Sequence, residues 1–230
     1  MKCAILQPHY FPWLGYFSMV NSVDIFVIFD DVKYIKREWK NRNKIRKSPF
    51  SEDFKWISVP IKKNSQESLI SQTEIDYSHN WISKHLNSIR ETYSKTKFYT
   101  FYIQDLEKII TKKHKYLADL NIDIINFFCN IYKIKTNIIR SSNLKSSGKK
   151  DQKLLSICKE LKANEYLANN LSKSYIDIDM FKASNIEIKF QDFSHPKYDQ
   201  IFDDKKLKWI SNLSILDYLF NYGDLFFEKS

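Results

Sequence analysis

Glycine is nearly missing from this chain: Gly15, Gly148 and Gly223 are the only three among 230 residues. With so few, neither a G-x-G-x-x-G dinucleotide fingerprint nor a Walker-type phosphate loop occurs anywhere in it. A G-x-S-x-G nucleophile elbow is missing as well. Histidine and cysteine are almost as sparse. His9, His79, His85, His114 and His195 are scattered, and Cys3, Cys129 and Cys158 lie far apart, so no metal spacing such as H-E-x-x-H or H-x-E…C-x-x-C is present. An odd number of cysteines without framework spacing points to a reducing compartment. No run of eighteen apolar residues occurs, so no membrane span is expected. Met1-Lys2-Cys3 leads straight into an apolar stretch, without the hydrophobic core and small-residue cleavage site of a signal peptide. A cytoplasmic protein is expected.

Charge is present, and it is unevenly placed. The net charge is +10, and between Val32 and Lys63 eleven Lys or Arg stand against three acids. A basic stretch of this density suits phosphates of nucleic acid, a nucleotide or a nucleotide sugar, or an anionic membrane surface. Its bland alternative is a solvated face, above all for Lys44, Arg46 and Lys47. Lys36, Arg37 and Arg42 interleave with Tyr34, Trp39 and Asn41, which favours a binding role. The hydrophobic fraction of 43% at this length is enough for one globular domain, 1–230, with a sizeable core.

Periodicity orders the elements. Cys3-Ala-Ile-Leu6 reads as a buried strand, Leu14 to Val23 as a helix, and Ile25-Phe-Val-Ile-Phe29 as a second strand. Trp56 to Pro60 reads as a strand. Trp81 to Tyr93 reads as an amphipathic helix capped by Ser78 or Asn80. One long helix or two joined ones follow between Leu106 and Ile131. Thr136 to Arg140 is a strand, Ser141 to Lys150 a polar loop, and Asp151 opens a short helix. Glu165 to Ala168 and Ile186 to Phe190 are strands, and an apolar helix runs from Leu213 to Tyr222 with Gly223 as its cap. This alternation predicts a layered α/β fold with a largely parallel sheet, and no domain boundary is evident.

The residues that carry chemistry crowd at the front. Gln7 and His9 leave the carboxyl end of the first strand, where open α/β sheets bind ligands. Pro8 and Pro12 stiffen the turn that holds His9. A histidine there can contact a phosphate or act in proton transfer, with a hydrogen bond to the loop as its structural alternative. Tyr10 and Trp13 are candidates for stacking on a base or sugar ring, whereas Tyr16 and Phe17 read as core or groove wall. Asp30 and Asp31 follow the second strand and can bind a ribose or a substrate amine, or act as a base. Trp39, Asn41 and Arg42 offer a ring, an amide and a two-pronged guanidinium for phosphate or carboxylate. His79 and His114 read as solvated or packed, and His85 as a satisfied, half-buried ring on its helix.

Ile5-Leu-Gln-Pro-His-Tyr-Phe-Pro-Trp-Leu-Gly-Tyr-Phe17, Phe29-Asp-Asp-Val-Lys-Tyr34 and Trp39-Lys-Asn-Arg-Asn43 resemble the signature of the WbqC-like family. Val59-Pro-Ile-Lys62, Trp81-Ile-Ser-Lys-His85, Gly148 to Cys158, Glu165-Tyr-Leu167 and Ser214-Ile-Leu-Asp217 fit it too. The resemblance covers nearly the whole chain. It implies a place in bacterial O-antigen (lipopolysaccharide) and other polysaccharide gene clusters, with transfer of an amino acid, glycine in particular, to an amino sugar. The order strand, Pro-His-Tyr-Phe-Pro-Trp, helix, strand is also similar to the nucleotidyltransferase and amide-ligase fold of pantothenate synthetases. That similarity implies a Rossmann-like, nucleotidyltransferase-like N-terminal half with a helical C-terminal part. The sequence departs from it at Trp13, which stands where a second histidine is expected, and Lys145-Ser-Ser-Gly-Lys149 is its only candidate for the lysine-serine-lysine loop.

Together these readings predict a transferase or ligase that joins a glycine-like amino acid to the amine of a nucleotide-linked amino sugar. His9, Asp30 and Asp31 are the expected catalytic residues. Gln7, Tyr10, Trp13, Lys36, Trp39, Asn41, Arg42 and Lys62 are expected to bind substrate, with Arg42 and Lys36 on the nucleotide pyrophosphate. The acyl donor is open among free amino acid with ATP, a charged tRNA and a carrier thioester, and ATP use would bring Mg²⁺. The alternative is a non-catalytic basic module for nucleic acid or an anionic glycan.

Overall fold

The structure is a computed structural model that describes residues 1–200 and 208–224. In chain order its first half contains β1 (Lys2–Leu6), α1 (Leu14–Asn21), β2 (Ile25–Ile28), β3 (Arg42–Arg46), β4 (Phe54–Ser58) and α2 (Trp81–Tyr93). There follow α3 (Tyr99–Thr111), α4 (Leu117–Ile131), β5 (Asn137–Arg140), α5 (Asp151–Glu160), β6 (Glu165–Ala168), α6 (Ile178–Lys182), β7 (Glu187–Phe190) and α7 (Ile215–Tyr222). Among the described residues no helix is long and apolar enough to cross a membrane.

The chain sorts into two compact units whose segments interleave, so the span 1–230 has no linear boundary to read. The first unit takes Met1–Pro8, Gly15–Val32 and Ile134–Ser194. Its five strands form one parallel sheet in the order β5-β2-β1-β6-β7. Cys3, Ala4 and Ile5 of β1 and Phe26, Val27 and Ile28 of β2 are buried in unbroken runs, as strands covered on both faces must be. Cys3, Ile5 and Val27 pack with Leu155, Ile157 and Cys158 of α5 and with Phe181 of α6. The free thiols of Cys3 and Cys158 lie 3.7 Å apart in that core. At the edge, β7 alternates exposed and half-buried residues, the pattern of a strand paired on one side only.

The strand order reverses beside β1: β2 and β5 lie to one side, β6 and β7 to the other. Such a reversal opens a crevice beyond the carboxyl ends of the two strands that flank it. Here those strands are β1 and β6, and the residues leaving them are Gln7 and Asn169. The layered α/β architecture is therefore present, with a Rossmann-type sheet that draws strands from both ends of the chain. Much of the helix stands mid-chain, in α2 to α4, rather than near the C-terminus.

The second unit takes His9–Leu14, Lys33–Lys133 and the described residues from His195 onward. Its strands β3 and β4 form an antiparallel pair. Four of the five residues in Arg42-Asn-Lys-Ile-Arg46 are polar, so β3 carries no apolar run to announce it; the alternation of Asn43 and Ile45 toward the core is what holds it. Helices α2, α3 and α4 pack in succession, and α7 packs on α3 and β3. Gly223 closes α7 at φ +84°, and a β-carbon there would lie 2.8 Å from the Phe98 ring, so both backbone and space demand glycine.

Arg46 overturns the reading of a solvated cation. It is fully buried, donating to Ser51 O at 2.5 Å and to Gln200 Oε1 at 2.7 Å. Gln200 donates to the Tyr198 hydroxyl, and Tyr198 and Tyr93 both donate to Asp217, at 2.7 and 3.0 Å. Burial raises the pKa of Asp217, and the donors and Arg46 counter it.

Candidate functional site

In the first unit the sheet register sets β2 and β5 level, pairing Ile28 with Arg140, so Asp30 and Ser141 emerge together at the carboxyl edge. The Asp30 carboxylate is wholly buried. It receives Arg140 Nε at 2.6 Å, the Ser142 amide at 3.0 Å and the Ser142 hydroxyl at 3.1 Å, with the Ser141 hydroxyl oxygen 3.3 Å away. Asp31 is half-buried; it accepts from the Ser141 hydroxyl at 2.5 Å and pairs with Lys153 Nζ of α5 at 2.6 Å. Asp30 and Asp31 were read as equivalent, and the structure separates them. Three donors hold the buried Asp30, so it orients the strand-to-loop junction. Asp31 keeps contact with solvent. Arg140, Ser141 and Ser142 carry no sequence signal beyond ending or following a strand, and Lys153 none beyond a polar position in the first turn of α5. Gln7, also half-buried, carries the Tyr16 hydroxyl on its carbonyl at 3.3 Å.

In the second unit the turn at His9–Leu14 is held by Asn43, whose side-chain amide donates to the carbonyls of Tyr10 at 3.2 Å and Phe11 at 2.7 Å. Phe11 takes a positive φ of 43°, a strained conformation for a ring-bearing residue. The backbone N–H of Tyr10 donates to Trp39 O at 2.9 Å, which ties the turn to the Trp39-Lys-Asn-Arg42 segment. His9 is half-buried in that setting. Burial lowers its pKa to about 3, and the charge on Lys40 acts in the same direction. Although part of the His9 surface reaches solvent, the protein packed around it disfavours the cation, so the ring is neutral near pH 7. Lys40 is itself buried and ion-paired with Glu38; burial lowers its pKa, and Glu38 opposes that shift. Tyr34, buried beside this pair, is pushed up to about 12 by desolvation and the Glu38 charge.

Tyr10, expected to stack on a ligand, is instead fully buried, and its hydroxyl meets His85 Nδ1 at 2.9 Å. The Ser58 N–H donates to His85 Nε2 at 3.1 Å, so Nε2 is the unprotonated nitrogen and Nδ1 carries the proton. Burial holds the His85 pKa down to about 4, and protonating Nε2 would also break the Ser58 bond. Unfolded, an imidazole binds a proton below about pH 6.5, whereas folded His85 does so only near 4. The unfolded state therefore takes up the extra proton between those values. Stability should fall as pH drops from about 6.5 to 4, by up to about 3 kcal/mol for this group, and His9 adds to the same slope. Urea midpoints at about pH 7, 5.5 and 4.5 measure it, and His85→Gln should flatten the curve; an unchanged slope in that variant would remove His85 as the cause.

The remaining expected binding residues divide. Trp13 is half-buried, with one ring face stacked on His195 at 6.3 Å. Asn41 donates to Val59 O at 3.0 Å and straps the turn to the end of β4. Lys62 is exposed and paired with Glu74 at 2.6 Å, an arrangement of little energetic consequence. Lys36 is exposed. The guanidinium of Arg42 lies 4.2 Å over the Trp56 ring and donates to the Arg37 carbonyl, so it is not a free fork awaiting a pyrophosphate. Of the other histidines, His79 is exposed, while His114 is buried and bonded to Asp123 Oδ2 at 2.8 Å.

A family model described as the WbqC-like protein family matches residues 7–225. A protein of Mycobacterium tuberculosis described as uncharacterized protein Rv1507c is 33% identical over 226 residues, which cover 96% of this chain and 94% of that one. No solved structure matches the chain.

Proposed function

The chain belongs to the WbqC-like protein family, and from that membership we propose an enzyme that joins a glycine-like amino acid to the amine of a nucleotide-linked amino sugar in surface-polysaccharide (O-antigen) assembly. The observation that carries this reading is the neutral His9, its imidazole held at a pKa of about 3 on a proline-stiffened turn. A neutral imidazole is a poor partner for a phosphate and a weak base. It is a good hydrogen-bond donor to an oxygen that gains negative charge, because it need not lose a proton to do so. In amide formation the neutral sugar amine attacks the acyl carbon, a C–N bond forms, and the carbonyl oxygen becomes an oxyanion. His9 donates to that oxygen. The oxyanion then collapses to the carbonyl, the bond from the acyl carbon to the leaving group breaks with its electron pair on the leaving group, and the amine's extra proton passes to water.

Within the first unit Asp31, half-buried and paired with Lys153, is assigned to bind a substrate ammonium. Asp30 positions Arg140 and the Ser141–Ser142 turn. The nucleotide is assigned to the crevice at the reversal of strand order, beyond Gln7 and Asn169. The test mixes purified protein with an amino-sugar nucleotide and, in parallel, glycine with ATP and Mg²⁺, glycyl-tRNA, or a glycyl thioester. Mass spectrometry reads the amide. One donor should give product at catalytic turnover. No amide from any donor, together with no saturable nucleotide-sugar binding by calorimetry, would end this reading.

A further inference from the structure

The β3–β4 pair has one face turned to solvent, and its composition is not that of an ordinary surface. Strand alternation puts Arg42, Lys44 and Arg46 of β3 on one face with Phe54 and Trp56 of β4; Arg46 is buried at its end, and Arg42, Lys44 and the two rings make up the solvent-facing part. Trp39, Phe54 and Trp56 expose 41%, 42% and 39% of their surface. An exposed trio of large rings is costly in water unless something covers it. The rings lie close together: Trp39 to Trp56 is 5.5 Å between centroids and Phe54 to Trp56 is 6.0 Å. Cations are threaded among them. Lys44 Nζ sits 4.3 Å from the Phe54 ring centroid, 5.3 Å from Trp56 and 5.7 Å from Trp39, and Arg42 covers Trp56. Lys36, Arg37 and Lys47 are exposed in the segments flanking β3.

We infer that this face binds a single-stranded stretch of nucleic acid, its bases stacking on the exposed ring surfaces of Trp39, Trp56 and Phe54, with Arg42 backing Trp56, and its phosphates meeting Lys44 and the flanking Lys36, Arg37 and Lys47. Three observations select that occupant. A neutral glycan would stack on the tryptophans but has no use for the interleaved cations. A duplex would use the cations but hides its base faces, leaving the rings bare. A free nucleotide needs one ring in a concave pocket, whereas here three rings lie on an open strand pair. Unpaired nucleotides match both features, because every base has a face to stack and every link a phosphate. This inference goes beyond the amide chemistry and does not depend on it, since only binding is at issue.

The test is fluorescence anisotropy of the full chain with labelled RNA and DNA single strands of about twelve nucleotides, and with a duplex of the same composition, across a salt series. Single strands should bind more tightly than duplex, with affinity falling linearly in log–log salt plots. Trp56→Ala should weaken single-strand binding ~5- to 100-fold, and Lys44→Gln should lower the salt slope by about one. Circular dichroism controls for folding, and Trp39→Ala supplies an independent ring deletion if Trp56→Ala unfolds. Equal binding of duplex and single strand, unchanged affinity in both ring variants, or binding to a neutral oligosaccharide alone would each overturn the inference. RNA and DNA arms that bind alike support stacking and charge as the basis; a preference for RNA adds the ribose hydroxyl to it.

Discussion

His9→Ala should lower kcat of the proposed amide-forming reaction ~10²- to 10³-fold, the loss expected when one donor to a developing oxyanion is removed. Melting temperature and nucleotide-sugar affinity should change little, because Asn43 and the two prolines hold the turn without the imidazole. His9→Gln keeps an N–H donor of similar reach and should recover most of the loss. If His9 moved a proton, Gln would be as inactive as Ala, since an amide cannot titrate. The pH profile gives a second readout. With the imidazole held at a pKa of about 3, kcat/KM should show no limb near 6.5 that depends on residue 9. A limb there that vanished in His9→Gln would place a titrating imidazole in the mechanism and overturn the oxyanion role. A drop in melting temperature that tracks the activity loss would reduce His9 to a structural part of the turn.

The second large effect falls on stability. Asp30→Ala should destabilise the protein by about 3 kcal/mol or more, because it leaves the Ser142 amide and Arg140 without their buried acceptor. Asp30→Asn keeps one acceptor oxygen and should cost less. Asp31→Asn keeps an oxygen for Ser141 but weakens the largely buried pair with Lys153, and should cost about 1–2 kcal/mol, less than Asp30→Ala. Urea unfolding separates the three, and activity measured on the folded fraction adds a further discrimination. Asp31→Asn should impair amine recognition in a stable protein, whereas Asp30→Ala should lose activity in step with stability. An Asp30→Ala protein as stable as the parent would show the carboxylate to be dispensable to the junction and would restore it as a candidate for chemistry.

How legible the molecule was in its sequence depended on how each residue signals. The strands of the parallel sheet declared themselves, because burial on both faces leaves little room for polar residues in Cys3-Ala-Ile-Leu6 or Ile25-Phe-Val-Ile. Helix α2 showed through Trp81, His85 and Ile89 on one face. Strand β3 did not, since half of a two-stranded pair faces water and Arg42 and Lys44 read as loop charge. Gln7, His9 and the two aspartates stand out in the sequence because polar residues at the carboxyl ends of strands are a positional signal.

What sequence by itself determined is the set of elements, their order and the strand ends on which chemistry-bearing residues sit, since local period and turn residues encode these within a few residues of chain. Tertiary structure alone decided the partners and exposure of each of those residues. It buried Tyr10 against His85 and Arg46 against Gln200, 154 positions away, and surrounded Asp30 with donors 110 to 112 positions away. It also made His9 neutral and brought Trp39, Phe54 and Trp56 onto one face. The reason is physical: a side chain's charge state, partners and exposure are set by what surrounds it in space, and those neighbours come from distant parts of the chain that no local pattern records.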